Sequence, residues 1–125
     1  MKTVRFSASG GRVSAAVKVS PKREGSYEVR LWERESNALV ESFPRLGHFH
    51  NNDTDEWPLP RPNSENDGRV VQVIVVLSLP PDVRSATVSL VLLQDGEEIG
   101  REGKDVPEGV EDHQVSLWVQ LRKGA

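Results

Sequence analysis

Short stretches that alternate apolar with polar residues, each cut off by turn residues, run through most of this chain and confine it to β-structure. Val4 and Phe6 alternate before Gly10-Gly11, and Val13, Ala15, Val17 and Val19 alternate after it. The glycine pair tolerates the positive φ angles of a tight hairpin turn, so the first two strands are expected to pair. Tyr27, Val29 and Leu31 then face one way, with Glu28, Arg30 and Trp32 facing the other, and Ser36-Asn37 turns the chain into Leu39–Phe43. Residues 69–79 are apolar on both faces, with Val71, Val73, Val75 and Leu77 on one side and Val70, Ile74 and Val76 on the other. Such a strand is either central or half of an interface, which raises a homodimer as one way to cover it. Pro80-Pro81 ends it, since proline cannot donate to a ladder, and Ala86–Leu93 is expected as its partner. Asp95-Gly96 signals a two-residue hairpin into Glu97–Arg101. Val115, Leu117, Val119 and Leu121 line the last strand, leaving Trp118 on the opposite face.

No segment keeps a 3.6-residue period for three turns, Glu33–Ser42 being the nearest competitor. The expectation is one domain over residues 1–125, an antiparallel β-sandwich of seven or eight strands with immunoglobulin-like or C2-like architecture.

Composition removes several classes of function. There is no cysteine, which excludes disulfides, thiolate metal sites and a cysteine nucleophile. Sixteen basic against 19 acidic residues leave a net charge of -3, without the basic stripe that a nucleic-acid binder needs. No apolar run reaches the length of a membrane span, and Met1–Arg5 opens no signal peptide, so the expectation is a soluble chain, cytoplasmic by default. No Gly-x-Ser-x-Gly elbow accompanies the histidines, so a hydrolase is poorly supported.

The alternation breaks once, over residues 44–68. A loop this long in a small domain is commonly a binding element. It carries His48 and His50 at i and i+2, followed by Asp53, Asp55, Glu56 and Trp57. Imidazoles with carboxylates suit zinc, and carboxylates with amide oxygens suit calcium, but the spacing matches neither an EF-hand nor any established site. No cofactor is therefore expected, with a divalent metal as the alternative. Leu46, Phe49, Trp57 and Leu59 are too apolar for a linker, so the loop should pack back with Trp57 as its anchor. Asn63–Gly68 is expected to be its mobile part.

Trp32 and Trp118 both point away from the core stripes of their strands. If those strands lie side by side, the indoles could form the kind of platform on which sugar rings stack. The function expected is a non-catalytic binding or interaction module, with the 44–68 loop as part of its surface and a protein or glycan as partner. A metal-assisted enzyme built on the loop histidines and carboxylates is one alternative; a carbohydrate-binding module built on Trp32 and Trp118 is the other.

Overall fold

The eight alternating stretches become strands in the computed structural model, which describes residues 1–20, 25–33, 38–49, 56–78, 86–106 and 112–124. Two very short strands within the long loop bring the number to ten. In chain order they are β1 (Lys2–Phe6), β2 (Ser14–Ser20), β3 (Gly25–Trp32), β4 (Leu39–Ser42), β5 (Gly47–His48), β6 (Glu56–Pro58), β7 (Val70–Ser78), β8 (Ala86–Gln94), β9 (Glu97–Val106) and β10 (Asp112–Lys123). β5 and β6 span too few residues to show a period, which is why the sequence reads them as loop.

The strands form two sheets. Six lie in the first, ordered β1-β10-β7-β3-β4 with β5 beside β3; four lie in the second, ordered β6-β2-β8-β9. Each sheet turns its apolar stripe inward. Val29, Leu31, Val71, Val73, Leu77, Val119 and Leu121 from one layer meet Val17, Val88, Leu90 and Leu92 from the other, all buried in one cluster. This is a two-layer, all-β, sandwich-like arrangement whose layers bury each other's apolar faces.

Strand partners differ from the expectation in three places. β1 does not pair with β2: it runs parallel to β10, from Lys2 opposite Val119 to Phe6 opposite Lys123, while β2 belongs to the other sheet. Gly10-Gly11 therefore crosses between layers. Two long-range side chains hold it there: Asp95 Oδ1 accepts the Gly11 N–H at 3.0 Å, and the Gln94 amide donates to the carbonyls of Ser7 and Gly11. Similarly, β8 joins β2 and β9 rather than β7. The parallel β1–β10 pair makes the first sheet mixed rather than purely antiparallel. The first two differences share a cause, since a strand with one apolar face can bury it in either layer and the turn signal does not choose between them.

Elsewhere the local signals hold. Asp95 and Gly96 both take positive φ, 54° and 79°, in the β8–β9 turn, as a primed hairpin requires. β7 is central, between β10 and β3.

Candidate functional site

Two regions carry the candidate residues. The first is the 44–68 segment. The chain after β4 follows β3, with Phe43 N–H donating to the Val29 carbonyl and Val29 N–H to the Pro44 carbonyl. Gly47 pairs with Tyr27, and Phe49 tilts against the Tyr27 ring at 5.1 Å between centroids. β6 then joins the other sheet beside β2, and from there the Trp57 indole N–H donates to the Tyr27 hydroxyl at 2.9 Å. Trp57 thus ties one layer to the other, and, two residues on, the fully buried Leu59 joins the core.

Asn63–Gly68, expected to be mobile, is instead pinned. Asn63–Glu65 form a 3-10 turn, and Asn63 accepts from Val13 N–H while donating to the Gly11 carbonyl at 2.7 Å. The buried Asn66 accepts from Arg69, and Asp67 accepts the Lys123 N–H at 2.8 Å. Sequence reasoning misses this because Asn and Asp are read as solvated turn formers, whereas here the Asn amides and the Asp67 carboxylate stand in for missing backbone partners.

Of the six loop candidates, His50, Asp53 and Asp55 lie outside the described residues. His48 is exposed on β5 and Glu56 is exposed on β6, so these two belong to different sheets. Among the described residues, no three histidine or acidic side chains gather as a metal would need.

The second region is the outer face of the six-stranded sheet. Strand registers set Trp118, Gln72 and Arg30 side by side across β10, β7 and β3, with Gln120, Val70 and Trp32 in the next row. Trp32 and Trp118 therefore share a face, as expected, but β7 separates their strands. Trp32 is half-buried: its indole N–H donates to Gln72, and the Arg30 guanidinium lies 5.9 Å from its ring centre. Arg30 also grips Glu28 through two hydrogen bonds, and the Ser42 hydroxyl donates to the same carboxylate. The Arg30 guanidinium holds the Glu28 carboxyl below the usual carboxylate range; partial burial opposes it and Ser42 assists. Trp118 remains 42% exposed.

β7 has an open second face here. Val76 is 42% exposed, with Val70 and Ile74 half-buried. A groove of about 800 Å³ passes from Trp32, Val70 and Trp118 to the side of the sandwich, where Met1, Ser116 and Leu117 meet Glu102–Lys104 of β9. Its floor is apolar and aromatic, and Glu33, Glu102 and Lys104 supply charge.

No family model, curated protein or solved structure matches this chain. The geometry alone must then carry the functional reading. The sequence places Trp32 and Trp118 on the right face, but it does not reveal that β9 from the other sheet completes the groove. One signal was present: residues 114–118 hold no charge, whereas β9 has a charged residue at most positions.

Proposed function

We propose that this domain is a non-catalytic binding module and that the groove beside Trp118 is its binding surface. The observation that carries this reading is an exposed indole on a regular strand, opening onto a groove large enough for an extended ligand. Aromatic side chains fixed by a rigid sheet give large contact area at small entropic cost. Glu33, Glu102 and Lys104 offer polar contacts in the groove, which suits orientation of a ligand more than chemistry on it.

The 44–68 segment enters this reading mainly as scaffold, because Trp57, Leu59, Asn63 and Asn66 are committed to packing and internal hydrogen bonds. A two-ring sugar platform is less favoured. The Trp32 N–H is already bonded to Gln72 and Arg30 lies beside the ring, so Trp118 is the more open surface.

The test screens the folded domain and its Trp118→Ala variant against a glycan array and a displayed random peptide library. Ligands are expected that bind the native domain and lose about tenfold or more in affinity with the variant, the size of a modest hot spot. Equal binding by both proteins, or no binding to either, overturns the proposal.

A further inference from the structure

One buried polar group beside the groove lacks a partner. Gln72 is 5% exposed on the outer face of the six-stranded sheet. An indole nitrogen can only donate, so the bond from Trp32 fixes which end of the Gln72 amide is oxygen. The Nε2 end is therefore turned away from Trp32, and its two N–H groups meet no acceptor among the described residues. A buried donor left unpaired is destabilising, so a native fold rarely keeps one without a use. Gln72 stands among three residues that line the groove. Trp118 is its direct cross-strand partner, Val70 precedes it by two on β7, and Trp32 is bonded to it.

The surroundings select a neutral ligand. The even-numbered, outward positions, 70–76 of β7 and 114–120 of β10, hold valine, isoleucine, glutamine, serine and tryptophan but no charged residue. On β3, Arg30 and Glu28 neutralise each other through two hydrogen bonds. What surrounds the exposed Trp118 ring is carboxamide and hydroxyl. Gln72 lies across the strand pair, roughly 5 Å away between Cα atoms, and Ser116 and Gln120 lie two residues off along β10, roughly 7 Å away.

We propose that the groove binds a neutral oligosaccharide, with one sugar ring stacked on Trp118 and a sugar oxygen accepting from Gln72 Nε2. This rests on the groove being the binding surface. A pyranose ring has an apolar C–H face that suits the electron-rich face of an indole. Its hydroxyls radiate from the ring edge and both donate and accept, which matches Gln72, Ser116 and Gln120 on three sides of Trp118. An apolar peptide side chain seated on Trp118 satisfies none of these groups and shuts the Gln72 N–H groups away from water. One stacked ring is enough here, because Trp32 serves to orient the Gln72 amide rather than to carry a second sugar.

The test screens the intact domain on an array of neutral oligosaccharides and follows the tightest binder by NMR. On titration the side-chain N–H₂ signals of Gln72 should shift, and the Trp118 indole signal should move with them at the same sugar concentration. Gln72→Glu keeps an acceptor for Trp32 but removes the donors, so it should fold and lose about tenfold or more in affinity. Should that variant unfold, the Gln72 signals of the native domain decide the matter alone. A sugar that moves Trp118 but leaves the Gln72 amide signals fixed, or that binds Gln72→Glu equally, overturns the assignment and leaves the binding surface standing. So does a peptide from a displayed random library that shifts Trp118 when no neutral sugar does. If neither kind of ligand perturbs Trp118, both readings fall. Trp118 and Gln72 signals that shift with protein concentration alone would assign this face to a second copy and overturn the sugar proposal.

Discussion

Trp32 donates its indole N–H to Gln72 at 2.9 Å, joining β3 to β7 on the outward face of the larger sheet. Gln72 is only 5% exposed there, because Trp118 and Arg30 flank it on either side as direct cross-strand partners. A polar side chain buried on an outer face is stable only with its hydrogen bond intact. Gln72→Leu should therefore destabilise the domain by about 0.5–1.5 kcal/mol, since Trp32 can still recover water on its exposed side. Urea unfolding measures it. A cycle with Trp32→Phe should show positive coupling of about 0.5 kcal/mol or more.

Gly47→Ala tests the closure of the opposite edge. A Cβ at this position would stand 2.5 Å from two ring carbons of Tyr27, which is 3% exposed and has no room to swing. The expected cost is about 1–3 kcal/mol, as for other overpacked interiors. Thermal unfolding should show it, and Tyr27→Leu in the same chain should recover part of the loss specific to the clash.

Asn63→Ala should cost about 1–3 kcal/mol, because it strands the buried Val13 N–H, while the Gly11 carbonyl keeps the Gln94 amide as its remaining partner. Limited proteolysis should produce cuts within 59–68 of the variant that the native domain, with these hydrogen bonds intact, is expected to resist. A native-like digestion pattern would show that the turn is held by Asn66 and Asp67 instead.

Glu28 predicts a pH dependence. Its carboxyl is held low by Arg30, so its contribution to stability is complete above the unfolded carboxylate pKa and fades as pH falls through the lower folded value. Glu28→Gln should lose about 0.5–1 kcal/mol near neutral pH, the range for a partly exposed bidentate pair, and nothing at strongly acidic pH. Chemical unfolding at pH 7 and below pH 3 measures the difference. A constant gap between the two proteins at both pH values would contradict it.

What could be read from the sequence followed from period and turn chemistry. Val71, Val73, Val75 and Leu77 declare a buried face, Asp95-Gly96 declares its hairpin, and the side of the sheet that holds Trp32 and Trp118 follows from counting in twos. What stayed hidden depends on which layer each strand joins. Nothing local to Val4 and Phe6 says that they lie beside Leu121 rather than Val17, because either layer would bury them equally well. The groove inherits that ambiguity, being made where β1 stops and β9 draws near. The loop was legible in its anchor, Trp57, and misleading in Asn63 and Asn66, whose polarity serves internal bonding here. His50, Asp53 and Asp55 lie outside the described residues, so the metal reading of the loop is carried by its sequence alone.

The β1–β10 ladder has a further consequence, for how the chain comes to be folded. It joins Lys2–Phe6 to Val119–Lys123, so β1 acquires its sheet partner only after β2 to β9 have been made. Bringing such distant segments together costs more loop entropy than closing the β8–β9 hairpin, which can form as soon as Val106 is available. Val4 and Phe6 must remain uncovered by β10 through most of synthesis. During that interval the emerging chain offers chaperones a strand with an uncovered apolar face.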